Sequence, residues 1–383
     1  MEIYLSDEFK EFRSKVVNFV EVELAPISEE VEKSAAIPEP IVQRMRELGL
    51  FGLSIPKQYG GLGLSTLEEV ITYEEITKTN ACYRSRIGTS NGIGSMGVLY
   101  DGTEEQKQKY LSQIASGRWT AAFALTEPNA GSDAANISTT AVLDNDHWVL
   151  NGSKQFITNA DTANLFTTIA LTDEKKRASG GVTAFVVERT SPGLIIGSAD
   201  LKMGLKGSHT NEVIFKDCKI PKENVIGGMA NVGQGFKTAM RVLDKGRLSM
   251  GACALGASKK IMQMSIARAK QKLASGTSKA ELQSEMFALA DMSIQIFAAQ
   301  EMLYKTAWLK DQGSNVTKEA SMVKVFCTEM ASRIADKALE IFEEDGCLTS
   351  NMIEMFLRDV RLYRIYEGTS EIQRIIISRE LLR

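Results

Sequence analysis

The first third of the chain has the hydrophobic pattern of amphipathic helices. In the segment DEFKEFRSKVVNFVEVEL, the apolar residues Phe9, Phe12, Val16 and Phe19 recur at intervals of three or four positions, which places them on one face of a helix. Comparable spacing continues to about Trp119. The pattern therefore predicts an N-terminal domain built mainly from helices.

Two helix starts in this region carry capping boxes, in which a hydroxyl residue is followed three positions later by Glu or Gln. The pairs are Ser65 with Glu68 and Thr103 with Gln106, and such pairs satisfy free backbone amides at a helix N-terminus. The segment PKQYGGLGLS at 56–65 has too many glycines for a helix interior. We expect it to form a turn between helices.

The pattern changes at about Trp119, where short segments rich in β-branched and aromatic residues replace the helical spacing. Turn-forming clusters such as Ser191-Pro192-Gly193 separate these segments. Many short strands at regular spacing are typical of an antiparallel barrel or sandwich rather than a parallel sheet. The predicted strands are TAAFALTE, ISTTAVL, HWVLNG, KQFITN, LFTTIALT, VTAFVVE, GLIIG and EVIFKDCKI.

Helical spacing returns after Gly235 and continues to the end of the chain. Three long alanine- and methionine-rich segments, 236–274, 278–312 and 316–344, predict antiparallel helices packed as a bundle. The expected fold class is therefore α+β. We divide the chain into an N-terminal helical domain (1–119), a middle β-domain (120–235) and a C-terminal helical domain (236–383).

Composition and charge exclude some classes of partner. The net charge of the 383 residues is −3, and the basic residues are scattered without a run, so we expect no nucleic acid partner. No apolar run approaches the roughly 20 residues that span a bilayer, so we expect no membrane segment.

The cysteines and the N-terminus favour a cytoplasmic location. Five cysteines occur without C-x-x-C spacing, and their odd number argues against a disulfide framework. The first residues are charged rather than apolar, and the stretch is acidic and poor in arginine. We therefore expect neither a secretory signal nor an organelle transit peptide.

Histidine chemistry is not favoured, because the chain contains only His147 and His209. A zinc site or a Ser-His-Asp triad requires histidines beside suitable partners, and we predict no metal site. His147 is interpreted as a residue at the edge of a turn. His209 lies in a Gly-Ser-His-Thr loop. It is interpreted as an ordinary loop residue, and a ligand contact is the weaker alternative.

Three motifs are candidates for a functional site. ALTEPNAGSDAA, at 124–135, leaves a strand and enters a loop in which Gly131 and Ser132 offer amides and a hydroxyl to a phosphate or a flavin edge. GSKQFITNA contains Phe156 and Thr158, an aromatic ring and a hydroxyl suited to stacking on and bonding a ring system. Taken alone, the first motif is equally well a polar β-turn and the second an ordinary strand.

The third motif, RIYEGTSEIQRIII, places Glu367 before a glycine turn. Ser370 and Gln373 have the spacing of a capping box for a terminal helix. A carboxylate at a helix entrance most often interacts with the helix dipole, so the motif in isolation does not establish catalysis.

Taken together, ALTEPNAGSD, FITN and YEGTSEIQR resemble the acyl-CoA dehydrogenase family, and GLGLSTLEEV and LDKGR extend the resemblance over nearly the whole chain. The resemblance implies a middle antiparallel β-barrel and a C-terminal four-helix bundle. It also implies FAD-dependent α,β-dehydrogenation of an acyl-CoA thioester to trans-2-enoyl-CoA, with hydride transfer to flavin N5.

The resemblance also implies roles for individual residues, with Glu367 as the base that removes the α-proton. Burial beside an acyl chain is expected to raise its pKa. The implied FAD contacts are Phe123, Leu125, Thr126, Gly131, Ser132, Phe156, Thr158, Lys270, Thr369 and Glu371. The implied substrate contacts are Ser132, Asp244, Arg247, Tyr366 and Gly368.

The position of the base separates branches of the family. One branch carries its base on the LDKGR helix, where this chain has Gly246. Asp244 lies two residues away from that position and is discounted as a base. The presence of Glu367 therefore indicates the straight-chain, short- or medium-chain type.

The chain departs from the family in two motifs that contact the FAD of the neighbouring subunit. Glycines in such motifs let a backbone approach a cofactor closely, whereas carboxylates repel a diphosphate. We therefore expect weakened or rearranged FAD binding. The departing residues are Lys270, Leu273 and Ala274 in one motif and Glu340, Glu343 and Glu344, beside Gly346, in the other.

Three functions remain open from the sequence. The first is acyl-CoA dehydrogenation with electron transfer flavoprotein as the electron acceptor. The second is dehydrogenation of an acyl group tethered to acyl carrier protein, and the third is a family-fold scaffold that binds little flavin. The resemblance implies a homodimer or homotetramer.

Overall fold

The computed structural model describes residues 5–383, so part of the N-terminal stretch considered for a leader lies outside the described residues. Helices precede the sheet, as the hydrophobic pattern predicts. A wide helical turn, Val20–Leu24, extends the first of them. The helices are α1 (Asp7–Phe19), α2 (Ser28–Ser34), α3 (Glu39–Glu47), α4 (Thr66–Ile76), α5 (Cys82–Asn91), α6 (Met96–Asp101) and α7 (Glu104–Ala115).

Both predicted capping boxes are confirmed. The Ser65 hydroxyl accepts a hydrogen bond from the backbone N–H of Glu68, whose carboxylate accepts one from the Ser65 backbone. Thr103 and Gln106 form the same reciprocal pair at the start of α7. These side chains satisfy amides that have no partner within the helix, and they fix where α4 and α7 begin.

The middle of the chain forms a mixed seven-stranded sheet in the order β1-β4-β2-β3-β7-β6, with β5 also paired to β4. The strands are β1 (Ala121–Ala124), β2 (Thr140–Asp144), β3 (His147–Thr158), β4 (Leu165–Leu171), β5 (Val182–Glu188), β6 (Leu194–Ala199) and β7 (Thr210–Pro221).

The sheet differs from the antiparallel expectation around β4. Pairs β2–β3, β3–β7, β4–β5 and β6–β7 are antiparallel, but β4 runs parallel to β1 and to β2, which it meets at Thr140 and Leu171. Parallel neighbours cannot be joined by a hairpin and need a longer connection. In this sheet the connection from β1 to β4 contains β2 and β3. Side-chain spacing within a strand carries no information about the direction of its neighbour, so the sequence did not reveal this pair.

HWVLNG and KQFITN, expected as two strands, form the single long strand β3. Its pairing with β7 shifts register between Leu150 and Gly152 and again between Lys154 and Ile157. At the first shift Gly152 has φ +147°, and a β-carbon there would lie 2.5 Å from Thr139 Oγ1. A glycine is therefore required where the strand bends.

After the sheet the chain returns to helices, and α8 is central to them. Its middle is buried continuously from Lys245 to Ser258 because α4, α9 and α10 all pack against α8. The helices are α8 (Gly235–Ala274), α9 (Gln283–Asp311), α10 (Thr317–Phe342), α11 (Met352–Tyr363) and α12 (Ser370–Leu381).

The order of helices, strands and helices confirms the expected α+β fold class. Secondary structure changes type between Ala115 and Ala121 and again before Gly235. Among residues 5–383, no helix combines enough length with enough apolar character to cross a membrane.

Candidate active site

A cavity of about 470 Å³ lies where β1, the end of β3, the start of α8 and the turn between α11 and α12 meet. All three sequence motifs contribute to it, although they are far apart in the chain. The predicted residues that line it are Phe123, Leu125, Thr126, Gly131, Ser132, Phe156, Thr158, Arg247, Tyr366, Glu367 and Gly368.

The turn after α11 places Glu367 in this cavity through an unusual backbone conformation. Glu367 has φ +59° and Gly368 has φ +85°, so two consecutive residues lie in the left-handed region. A residue with a β-carbon pays roughly 1–2 kcal/mol to adopt it. Strain of this kind is typical of functional positions that the surrounding structure holds in place.

Gln373 is one of the groups that hold the turn. Its Nε2 donates to the carbonyl oxygens of Glu367 and Gly368, each at 3.2 Å. The prediction of a capping box formed by Ser370 and Gln373 is therefore wrong, and the cap lies one residue earlier. The N-cap of α12 is Thr369, whose hydroxyl accepts a hydrogen bond from Ile372, because Gln373 turns back to the Glu367 carbonyl instead of capping the helix.

The Glu367 carboxylate lies in a pocket that strengthens it as a base. Its Oε2 is buried without a hydrogen-bond partner and lies against Gly246 of α8. Burial raises the pKa of Glu367, although the positive charges of Arg84, Lys324 and Arg247 oppose the increase. A carboxylate with a raised pKa binds a proton more strongly than an ordinary glutamate.

Arg247 is buried beside the cavity and paired with Asp244 one turn earlier on α8. Asp244 also accepts a hydrogen bond from Thr317 Oγ1 at 3.1 Å. The aspartate is therefore occupied by neighbouring side chains and does not line the cavity. It positions Arg247, and it is not available as a second base.

The loop that follows β1 is held by a buried ion pair. Lys154 Nζ donates to Glu127 Oε1 at 2.8 Å and to the Leu125 carbonyl at 3.0 Å. The Glu127 carboxylate also accepts the backbone N–H groups of Ser138 and Thr139. Burial disfavours its charge, but the attraction of Lys154 outweighs this and lowers the pKa of Glu127 to about 2. Both ends of the loop are thereby fixed.

Phe156 projects from β3 into the cavity. It lies within the second register shift of β3, has φ +58°, and leaves 57% of its surface exposed although it is a large apolar side chain. The backbone N–H of Gln155 donates to the Thr126 carbonyl at 2.8 Å, which holds this part of β3 beside the loop after β1.

The residues around Phe156 fit the isoalloxazine and diphosphate of FAD. An exposed aromatic face, the Thr126 and Thr158 hydroxyls, and the accessible Gly131–Ser132 loop border the same cavity. A planar ring can stack on the aromatic face of Phe156, and the amides and hydroxyls can bind phosphate oxygens.

Three predicted cofactor contacts lie outside the cavity within this chain. Lys270 is exposed near the end of α8, and Glu371 is exposed on the first turn of α12. Thr369 caps α12. His209 is also elsewhere: its ring nitrogens contact Asp161 Oδ2 at 2.6 Å and the Ala35 carbonyl at 2.8 Å, which fits the interpretation as an ordinary loop residue.

The acidic segment after α10 is tied to α8 by ion pairs. Arg268 Nη2 lies 2.9 Å from Asp345 Oδ2, and Lys272 Nζ lies 3.0 Å from Glu343 Oε1. Glu343 has φ +56° and ψ −139°, a conformation that is found almost only in glycine. Of these four residues, Glu343 is the one that the sequence analysis named, as a carboxylate expected to weaken FAD binding, and within this chain it pairs with Lys272.

Two buried cations near Glu367 were missed by the sequence analysis. Arg84 of α5 is 7% exposed and Lys324 of α10 is fully buried. Each lies in a segment whose sequence is typical of an ordinary helix. The spacing of residues in the sequence does not distinguish a buried lysine or arginine from an exposed one.

Sequence models of a protein family match the three parts of this chain separately. The models describe the acyl-CoA dehydrogenase N-terminal, middle and C-terminal domains, and they match residues 6–118, 122–218 and 233–382, respectively. The chain therefore belongs to the acyl-CoA dehydrogenase family.

Individual relatives are similar over their full length. An acyl-CoA dehydrogenase of Bacillus subtilis (strain 168) is 38% identical over 380 residues, which cover 99% of each chain. The structure of butyryl-CoA dehydrogenase from Megasphaera elsdenii has a TM-score of 0.95 at 34% identity and covers 100% of both chains. A chain in the structure of an electron transferring flavoprotein of Acidaminococcus fermentans also gives a TM-score of 0.95, at 37% identity and 100% coverage of both.

Proposed function

We propose that this protein oxidises the acyl group of an acyl-CoA thioester to the trans-2-enoyl product, with Glu367 as the base. The observation that carries the proposal is Glu367 Oε2, which is buried without a hydrogen-bond partner, in a residue that lines the same cavity as Phe156 and the Gly131–Ser132 loop. Family membership and the similarity to an acyl-CoA dehydrogenase and a butyryl-CoA dehydrogenase support the substrate class.

FAD is the proposed cofactor, and when bound it supplies the acceptor for the β-hydride. Phe156 and Thr158 would contact its ring, and Thr126, Gly131 and Ser132 its polar groups. Phe123 and Leu125 would form the apolar wall behind the ring. The cavity argues against the scaffold alternative, because it brings together the strained Glu367 and the exposed aromatic ring of Phe156.

The residues of this chain prepare the thioester for loss of its α-proton. Tyr366 and Gly368 border the acyl group, and Arg247 lies beside the base. An acyl chain in this cavity excludes water from Glu367, which keeps the pKa of the carboxyl group high and its conjugate base reactive. Glu367 then accepts the proton from the carbon next to the thioester carbonyl.

We further propose a cytoplasmic homodimer or homotetramer that passes electrons to electron transfer flavoprotein. The five cysteines are free and four of them are buried, which suits a reducing compartment. Three large apolar side chains on α9, Phe287, Ile294 and Phe297, are more than half exposed, and a subunit interface would bury them.

The test is an anaerobic titration of the purified protein, loaded with FAD, by straight-chain acyl-CoA thioesters. We expect the oxidised flavin absorbance to bleach and a 2-enoyl-CoA to form in equal amount. Tight FAD binding without bleaching by any thioester would contradict the proposal. Failure to bind FAD at all would favour the scaffold.

A further inference from the structure

Asn159 follows the last residue of β3 and is held in a fixed conformation. It is buried, and its φ of +61° lies in the left-handed region, which asparagine adopts more readily than most residues. Its backbone N–H donates to the His209 carbonyl at 3.0 Å, and its carbonyl oxygen accepts the N–H groups of Thr162 and Ala163 at 3.1 and 2.8 Å. These bonds fix the turn that leaves β3, and with it the direction of the Asn159 side chain.

The side-chain amide of Asn159 crosses from the sheet to α5. Its Nδ2 donates to Thr89 Oγ1 at 2.8 Å and to the Ser85 carbonyl oxygen at 3.0 Å, and the Arg86 carbonyl oxygen lies 3.5 Å away. Since an amide nitrogen carries two hydrogens, the two shorter bonds use its full capacity as a donor. Thr89 is buried like Asn159, so water does not readily replace these bonds.

The helix at the far end of these bonds approaches the cavity from the side of Glu367. Burial raises the pKa of Glu367, and the charge of Arg84 on α5 is the largest effect that opposes the increase. Arg84 Nη2 also donates to Ser249 Oγ, three residues after Gly246, which lies against the Glu367 carboxylate. Thr89, which accepts the bond from Asn159, lines the cavity itself.

The end of β3 contributes the wall that contacts the flavin ring in the proposed function. Phe156 and Thr158 both line the cavity, and Asn159 is the next residue along the chain. The ladder between β3 and β7 does not fix this wall alone, because its register shifts between Lys154 and Ile157. The bonds of Asn159 therefore join the side of the cavity near the base to the side that carries Phe156 and Thr158.

We propose that Asn159 is a positioning residue that sets the distance between α5 and the flavin-binding end of β3. This inference rests on the proposed function, because both walls act on one acyl group: the base takes a proton from one carbon, and the β-hydride leaves from the next. Reacting atoms must lie about 3–3.5 Å apart, and a displacement of about 1 Å can slow a reaction roughly 100-fold. Asn159 does not line the cavity, so it acts through Thr89 and Thr158.

Asn159→Gly tests the role, because glycine adopts a positive φ without strain and only the side-chain bonds are lost. In the FAD-loaded enzyme we expect single-turnover flavin reduction by a straight-chain acyl-CoA to slow roughly 10- to 100-fold, with little change in KM. Asn145→Gly is the matched control. Asn145 has φ +53°, and its Nδ2 donates to Asp144 Oδ1 in the turn between β2 and β3, so this variant should reduce flavin at the unmodified rate.

A second measurement separates positioning from a general loss of structure. An acyl-CoA thioester with sulfur in place of the β-carbon has an exchangeable α-proton but no β-hydride. Exchange of this proton in D₂O, followed by mass spectrometry, reports the base without hydride transfer, and Asn159→Gly should keep the unmodified rate. Backbone amide exchange should become faster in α5 and at the end of β3, because the bonds between them are lost. Asn145→Gly should change neither.

The results distinguish this inference from the proposed function. Unchanged flavin reduction in Asn159→Gly would overturn the inference alone, and so would equal losses of flavin reduction and α-proton exchange, which indicate a structural role only. If Asn159→Gly does not fold, Asn159→Asp makes the same comparison. Aspartate also tolerates a positive φ and can accept from the Thr89 hydroxyl, but it cannot donate to the Ser85 carbonyl, so the same separation of the two rates is expected. No flavin reduction by any thioester in the unmodified enzyme would overturn both proposals.

Discussion

Gly246 of α8 lies directly against the carboxylate of Glu367. A β-carbon on Gly246 would be 2.2 Å from Glu367 Oε2, far closer than any non-bonded contact. The absence of a side chain on one helix therefore determines where the carboxylate from a distant turn can lie.

Gly246→Ala should reduce activity without unfolding the protein. Alanine is favoured over glycine in a helix by about 1 kcal/mol, but its methyl group must displace the Glu367 carboxylate. We expect kcat to fall roughly 100-fold, as for other small displacements of a reacting group, with little change in the unfolding midpoint. Gly97→Ala in α6 is the control, since a β-carbon there meets nothing closer than 3.5 Å. Equal activities of the two variants would refute the steric argument.

The pH profile of kcat/KM should report the raised pKa of Glu367. Because the base must be deprotonated and burial raises its pKa, activity should increase with pH through a value above that of an ordinary glutamate. Lys324→Met removes a cation that lowers this pKa, so the acid limb should move to higher pH. Lys318→Met, on the outer part of the same helix, should leave it in place. A limb at the ordinary glutamate pKa, or a shift in the opposite direction, would contradict the assignment.

Gln373→Ala should loosen the turn that carries Glu367. The substitution leaves the Glu367 and Gly368 carbonyls without their shared donor, a loss of about 1 kcal/mol in stability. Because the base is then less well positioned, we expect kcat to fall about tenfold and KM to change little. Steady-state kinetics checks this. A rise in KM with unchanged kcat would indicate that Gln373 contacts substrate instead.

Glu343→Gly should stabilise the protein. Glycine relieves a backbone conformation that is unfavourable to glutamate, which stabilises the folded state by roughly 1–3 kcal/mol. Two smaller effects oppose this gain. The loss of the partly exposed ion pair with Lys272 costs at most about 1 kcal/mol, and the conformational entropy of the added glycine costs roughly 0.5–1 kcal/mol. We expect a net gain of about 1 kcal/mol by chemical denaturation. Glu344→Gly, at a neighbouring residue without positive φ, should instead destabilise the protein slightly.

The Glu343→Gly variant should also retain FAD better on dialysis than the unmodified protein, because it removes a negative charge.

The local elements were predictable because short-range rules determine them. The capping pairs at Ser65 and Thr103 and the strand composition of β3 and β7 are properties of neighbouring residues. The resemblance to the acyl-CoA dehydrogenase family predicted that Glu367, Phe156 and Ser132 belong to one site. By contrast, the parallel β1–β4 pair, the Thr369 cap and the burial of Arg84 and Lys324 depend on residues distant in sequence, and no pattern within one segment reports them.

The most direct test of the account is single-turnover reduction of FAD-loaded enzyme by an acyl-CoA substrate, with Glu367→Gln compared with unmodified protein. Glutamine keeps the shape of the side chain but cannot accept the proton, so the rate of flavin bleaching should fall roughly 10²- to 10⁴-fold while the thioester still binds. Glu301→Gln, an exposed substitution on α9, should bleach at the unmodified rate. Near-normal bleaching in the Glu367→Gln enzyme would contradict the central claim that this carboxylate removes the α-proton.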